Sequence, residues 1–309
     1  MLGGALRAFF LWLSNRRWLG RVAMAMPIVR RMPFRFVAGT TLGQAVAAVH
    51  ELNSTGASAT LDVLGEAVSD RASADRAAAC YVETIERIAT QGLDANVSVK
   101  LTQMGLDLGV DTCVEVLQPV VQAGGRHGIF VRIDMESSAY VDRTLDVVAR
   151  LRSDGHDVGP VIQSYLHRSP DDVEILAADR VRTRVCKGAY AEPPEVALQE
   201  RVAIGDAFVA LVERFLEADA YPGVATHDPD MIERVKAFAR ERRIGSDRFE
   251  FQMLYGIRRD LQRQLQADGY RLRVYVPYGT EWYPYFMRRL AERPANVLFV
   301  LRTIFGERG

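Results

Sequence analysis

A chain of 309 residues can bury a full core and suits one large α/β domain or two small ones. Lys and Arg number 39, as do Asp and Glu, a balance that argues against a dedicated nucleic-acid binder. Cys80, Cys113 and Cys186 show neither metal-ligand spacing nor an even-numbered disulfide framework, and the histidines at 50, 127, 156, 167 and 227 are scattered. A reducing cytoplasm and no resident metal are expected.

The balanced total hides an asymmetry, because residues 1–50 hold seven arginines and no acidic residue. Met1 to Ser14 is apolar but contains Arg7 and is too short to span a bilayer, and no signal-peptide cleavage site follows. From Arg16 to Phe36 basic and apolar residues interleave, broken near Pro27 and Pro33. Such a segment can lie on an anionic membrane surface or cap the domain. An alanine-rich helix is expected over Leu42–Leu52, so residues 1–55 read as a basic, amphipathic helical segment and 56–309 as the catalytic domain.

Apolar strands are expected at Ala59–Leu64, Asn96–Leu101, Ile129–Ile133, Val158–Ile162, Arg182–Cys186, Gly223–Thr226, Phe249–Leu254 and Leu272–Val276, the last stopped by Pro277. Helices are expected between them at Ala72–Thr90, Thr112–Ala123, Tyr140–Asp154, Asp171–Ala178, Ala197–Ala218, Pro229–Glu241 and Ile257–Ala267, with a final helix at Trp282–Arg293. Strict β/α alternation implies parallel pairing and suits a (β/α)8 barrel. An open doubly wound sheet would normally show a glycine-rich nucleotide loop, and no G-x-G-x-x-G or Walker-type sequence is present.

A barrel gathers chemistry at the carboxyl ends of its strands. In order these ends carry Asp62 with Gly65-Glu66, Lys100, Arg132 and Asp134, Gln163, Arg184 with Lys187-Gly188-Ala189-Tyr190, Thr226-His227-Asp228, Gln252 with Tyr255-Gly256, and Tyr275 with Tyr278. Lys100, Lys187 and Lys236 are the chain's three lysines, and two of them end apolar strands, where a compact ammonium suggests a specific partner. In the final helix Tyr285, Arg288, Arg289 and Glu292 share a face. Two adjacent guanidinium forks suit a small carboxylate; a solvated helix face with Arg–Glu pairs is the plainer alternative.

Taken together these segments resemble the proline dehydrogenase family in its short monofunctional bacterial form. The resemblance rests on Asp62-Val-Leu-Gly65-Glu66, Val99-Lys100-Leu101, Arg132-Ile-Asp134, Cys186-Lys187-Gly-Ala-Tyr190, Ala225-Thr-His227-Asp228, Gln252-Met-Leu-Tyr-Gly256, Tyr275-Val-Pro-Tyr-Gly279 and Tyr285-Phe-Met-Arg288-Arg289-Leu-Ala-Glu292. It implies a distorted (β/α)8 TIM-type barrel with N-terminal helices and a final helix over the barrel mouth. It also implies FAD bound across the carboxyl ends of the strands, with hydride transfer from C5 of L-proline to flavin N5. The product would be Δ1-pyrroline-5-carboxylate, the first step of proline catabolism, with electrons passed to a membrane quinone. The setting would be cytoplasmic, with peripheral contact at the inner face of the cell membrane as one option.

The same resemblance assigns roles. Arg288 and Arg289 would grip the proline carboxylate, with Glu292 near the ring nitrogen or balancing the arginines. Asp134 would orient Arg289, and Lys100 would pair with an acid at the base of the pocket. Tyr275, Tyr285 and Leu254 would shape the pocket, and Glu66 would close it through Arg288. Arg184 and Gln163 would face the flavin, with Arg132, Lys187, Gly188, Ala189, Tyr190, Thr226 and His227 completing the cofactor set. Cys186 departs from the aliphatic residue usual in the family. Three rivals stand beside this reading: a flavin-dependent hydroxyproline dehydrogenase, a non-catalytic docking protein at a membrane surface, and a barrel lyase or aldolase with Lys187 as Schiff-base former.

Overall fold

Eight parallel strands close on themselves: β1 (Ser58–Val63), β2 (Ala95–Lys100), β3 (Val131–Asp134), β4 (Val158–Gln163), β5 (Thr183–Cys186), β6 (Pro222–Ala225), β7 (Glu250–Leu254) and β8 (Leu272–Tyr278) pair in chain order, and β8 returns to β1. This computed structural model describes residues 35–65 and 67–292, with the side chains of 288–292 excepted. Helices α1 (Leu42–Ser54), α2 (Arg71–Thr90), α3 (Val110–His127), α4 (Val141–Ser153), α5 (Ser169–Ala178), α6 (Arg201–Glu217), α7 (Pro229–Glu241), α8 (Arg259–Ala267) and α9 (Trp282–Glu292) complete the described chain. The barrel expected from the alternation is therefore the fold observed.

The strands have two unlike faces. Leu61, Val97, Ile133, Val185, Phe251 and Val274 are at most 1% exposed and share one core with the inner faces of the helices. The alternate residues point into the barrel and are largely polar: Asp134 accepts from Ser98, Arg184 and Tyr275, Arg184 donates to Gln252, and Asp62 accepts from Lys100. The apolar core thus lies between sheet and helices, and the barrel interior is filled by hydrogen-bonded charge.

Helix α2 shows how the outer layer is specified. Asp70 caps it by accepting from Ser73 N at 2.8 Å, and Ala74, Ala78, Tyr81, Ile85 and Ile88 recur every three or four residues, making one buried stripe. Helix α1 begins with a Thr41–Gln44 capping box and sends Ala45, Val46 and Val49 into the same core, against β1 and β8.

Several boundaries differ from the sequence expectations, and three of them have a visible cause. Helix α6 starts at Arg201 rather than Ala197, because residues 196–198 pair back with the segment after β4: His167 N donates to Val196 O and Leu198 N to Tyr165 O. Helix α8 starts at Arg259, after Arg258 at φ 49°. Strand β8 runs through Pro277 to Tyr278. Tyr275 faces β7 and accepts from Tyr255 N; two residues later the missing N–H of Pro277 points to the same side, beyond the end of β7, where no ladder bond is lost.

At the carboxyl end of β1 a second, smaller cluster joins Phe36, Val37 and Leu64 to Trp282, Tyr283, Tyr285 and Phe286 of α9. Backbone bonds tie it down: Ala38 N donates to Pro277 O, Gly279 N to Gly39 O, and Leu64 N to Tyr278 O. The chain is also pinned at Gly256, where φ is +73° and a Cβ would lie 1.7 Å from Arg35 O. Gly256→Ala should therefore destabilise the protein by about 1–3 kcal/mol in urea unfolding, since both the backbone angle and the contact resist a methyl group; an unchanged midpoint would contradict the close approach.

Candidate active site

The mouth at the carboxyl ends of the strands is built over one carboxylate. Asp134, last residue of β3, accepts from Ser98 Oγ at 2.5 Å and Arg184 Nη1 at 2.9 Å through Oδ1, and from the Tyr275 hydroxyl at 2.9 Å through Oδ2. Lys100 Nζ lies 3.7 Å from the same carboxylate and 2.7 Å from Asp62 Oδ1. The acid expected as partner of Lys100 is thus Asp62, at the end of β1, with Asp134 as a second. The Arg184 guanidinium carbon stands 5.2 Å from the Tyr275 ring centroid, and its Nε donates to Gln252.

Burial alone would push the Asp134 carboxyl up; Arg184, then Lys100 and the hydrogen bonds from Ser98 and Tyr275 outweigh it and hold the group below the usual carboxylate range. Burial likewise works against the Lys100 ammonium, but Asp62 and Asp134 more than restore it, so its pKa is raised. The Tyr275 phenol is pushed well above its ordinary value by burial and by the two carboxylates. Across the neutral range Asp134 therefore stays a carboxylate, Lys100 an ammonium and Tyr275 a neutral phenol.

The residues expected around the flavin cluster on β4 to β7. Gln163 is buried, and its side-chain amide donates to Glu136 O at 2.7 Å. Lys187 pairs with Asp228 at 2.9 Å. Gly188 has φ +113°, and a Cβ there would meet the Tyr165 ring at 2.3 Å, so this loop lies flat against that ring only as glycine. Ala189 and Tyr190 are exposed, and Tyr190 O accepts from the Tyr165 hydroxyl at 3.4 Å. Thr226 is buried and its hydroxyl accepts from Asp228 N. His227 Nε2 accepts from Leu254 N at 2.9 Å, which puts the proton of the neutral ring on Nδ1. Leu254 and Tyr275 are part-exposed at the mouth. Burial pushes the Cys186 thiol up to about 11, the Arg184 charge opposing it, so the thiolate needed for oxidation is scarce near neutrality.

Other expected residues lie elsewhere. Arg132 sits two residues before Asp134 on the same inner face and so points into the barrel nearer its amino-terminal end; its Nη1 donates to Pro160 O at 2.9 Å and to Arg182 O. Tyr285 belongs to the aromatic cluster of α9 and is 7% exposed. Arg288, Arg289 and Glu292 belong to the backbone of α9, but their side chains, and all of Glu66, lie outside the described residues.

Tyr81, Ser98 and Glu136 join the site without being singled out in the sequence, and Asp62 and Gln252, named there as strand-end groups, are given no role by it. Tyr81 reaches in from α2 to donate to Ser98 O at 2.9 Å, and Glu136 accepts from Thr102 N and Oγ1 at 3.0 and 2.9 Å. Polar residues at every second position of β2 (96, 98, 100), β3 (132, 134) and β7 (250, 252) mark this inner face in the sequence.

Replacing Asp134 by Asn leaves Arg184 and Lys100 short of a shared counter-charge. Asp134→Asn should cost about 3–5 kcal/mol at neutral pH in denaturant unfolding. Because the folded pKa of Asp134 is depressed, its contribution is present above the unfolded value near 3.8 and is lost as pH falls through the folded value. The deficit of the variant should accordingly shrink on acidification; a deficit independent of pH would show that charge is not its source.

The sequence model of the family described as proline dehydrogenase matches residues 45–302. The chain is 40% identical over 299 residues to proline dehydrogenase 1 of Bacillus subtilis (strain 168), spanning 97% of this chain and 99% of that one. It is 42% identical over 277 residues to proline dehydrogenase of Deinococcus radiodurans, spanning 87% and 88%. Its fold is similar to the crystal structure of proline utilization A from Bdellovibrio bacteriovorus inactivated by N-propargylglycine, with a TM-score of 0.81 at 24% identity over 91% of this chain. It spans about a third of that longer protein, 34% of its length. With a matching family model over most of its length and full-length relatives at this identity, the chain belongs to the proline dehydrogenase family.

Proposed function

We propose that this chain oxidises L-proline to Δ1-pyrroline-5-carboxylate with FAD as cofactor and delivers the electrons to a membrane quinone. The observation that carries the reading is the cation pair Arg184 and Lys100, fixed on Asp134 beneath the mouth of a barrel of this family.

The donor set on β4 to β6 fits a flavin dinucleotide. Gln163, Arg184, Lys187 and His227 bring amide, guanidinium, ammonium and imidazole groups to neighbouring strand ends, and Gly188 leaves backbone free of a side chain between them. Bound there, FAD supplies the two-electron acceptor that the C5 hydrogen of proline requires. Arg184 holds positive charge at that face, and Asp134 fixes where the guanidinium stands.

On the substrate side, Arg288 and Arg289 grip the carboxylate from α9, Glu292 balances them near the ring nitrogen, and Glu66 closes over the site through Arg288. Tyr275, Tyr285 and Leu254 line the ring. The Tyr275 hydroxyl is held by Asp134 at 2.9 Å and Lys100 at 3.4 Å, so this wall does not move aside for a substituted ring. Asp134, Lys100 and Tyr275 are each shifted away from neutral titration, so none of them exchanges the amine proton near pH 7, and solvent water takes it. Lys187 is 38% exposed and engaged with Asp228, unlike the desolvated amine that Schiff-base chemistry uses. No described helix is long and apolar enough to cross a membrane, so contact with the quinone pool is assigned to the surface and to the basic segment before residue 35.

Purified protein should be yellow, and anaerobic proline should bleach the flavin absorbance; a colourless protein that takes up no added FAD would end this reading. Arg288→Gln and Arg289→Gln should each raise the proline KM at least roughly tenfold, the equivalent of about 1.4 kcal/mol, while FAD stays bound. An unchanged proline dependence would remove the carboxylate role from α9.

A further inference from the structure

The end of the barrel opposite the mouth contains a cavity of about 230 Å³. It is larger than the ~30 Å³ share of one water and smaller than the ~300–1,000 Å³ of drug-sized pockets. Four arginines line it, Arg132, Arg182, Arg271 and Arg273, against a single carboxylate in the lining, Glu250. Each comes from the amino-terminal end of its strand, so the cavity lies on the far side of the Asp134 centre from the carboxyl-end mouth.

The charges of this cavity are unevenly met. Glu250 Oε1 takes Arg273 Nε at 2.8 Å and the Gln252 amide at 2.6 Å. Arg182 pairs with Asp157. Arg132 donates to the backbone carbonyls of Pro160 and Arg182, and Arg271 to that of Asp247 and to the Tyr221 hydroxyl, and neither meets a carboxylate at ion-pair distance among the described residues. Arg132 is 4% exposed, and its Nε is buried with no hydrogen-bond partner. Phe130 stacks beneath two of the cations, its centroid 4.6 Å from the Arg132 guanidinium carbon and 4.3 Å from that of Arg182, which holds two like charges beside one space.

A structural arginine cluster would be expected to spend its donors on the protein. Here the buried Arg132 keeps one N–H unmade, the lining sets four guanidinium groups against one carboxylate, and planar guanidinium forks match tetrahedral oxyanions. We propose that this cavity is a second ligand site, binding a phosphate-class oxyanion between Arg132, Arg182 and Arg271. The anion is either inorganic phosphate or the phosphate of a small phosphomonoester, whose remainder would extend past the exposed side chain of Arg271.

The test is thermal unfolding of the purified, flavin-containing protein titrated with inorganic phosphate or glycerol phosphate, against chloride at equal ionic strength. Binding to the folded state raises Tm saturably. Arg271→Gln, a change at the protein surface remote from the flavin face, should raise the half-saturating phosphate concentration at least tenfold without changing proline turnover or the flavin spectrum, and Arg182→Gln should act in the same direction. Stronger stabilisation by glycerol phosphate would identify the ester as the ligand, and equal stabilisation the free ion. No Tm rise beyond the chloride control would overturn the site. So would an equal rise in wild type and both variants, which would place the anion elsewhere.

Discussion

The Asp134 carboxylate is the point on which the interior of this barrel depends. It draws donors from β2, β5 and β8, strands that do not all touch one another, into one bonded centre. Removing an ion from water costs several kcal/mol even after relaxation, and the interior recovers this only where each charge is met. Asp134 is met on both oxygens. Lys100 is met by two carboxylates, and Arg184 by Asp134 and Gln252. The interior is thus consistent with stability without being its source; the apolar layer between strands and helices supplies that.

From this centre bonds run on through Gln252 to Glu250 and Arg273, so the polar column spans the barrel from mouth to base. Layers of Val, Ile and Leu, the usual barrel filling, would give a packed interior with no fixed field. A hydrogen-bonded column of charged and polar groups gives a field fixed in place by its own contacts, which is the preorganisation that transfer of a charged hydrogen equivalent needs. The cost is specificity in every member. A buried charge without its partner is far worse than an apolar side chain in its place, so each substitution in the column is felt by the next residue along.

The architecture was legible because each strand carries an apolar outer face and each crossover a helical stripe; those two periodicities fix the alternation that closes the barrel. Lys100 could be read as a paired cation from its place at a strand end, but which acid pairs with it could not. Asp62 lies 38 residues away and becomes its partner only through strand register. Arg132 shows the opposite case: it shares a motif and an inner face with Asp134, yet two residues earlier on the strand it lies nearer the other end of the barrel. Tyr81 was hidden for a third reason. On α2 it reads as one more residue of the apolar stripe, and only its hydroxyl, bonded to Ser98 O, belongs to the site.

The carboxyl-end helix is held differently from everything beneath it. Trp282, Tyr283, Tyr285 and Phe286 pack on Phe36, Val37 and Leu64 in a cluster separate from the main core, and the rings meet at offset angles, Trp282 and Tyr283 at 5.9 Å and Phe36 and Phe286 at 6.1 Å. Three backbone bonds fasten the approach to this helix. A satellite cluster of this size is held by fewer buried contacts than the barrel core, and regions of low contact density are the ones that open first. The residues proposed for the substrate carboxylate thus ride on an element held by this smaller cluster, while those proposed for the cofactor face stand on strands of the barrel.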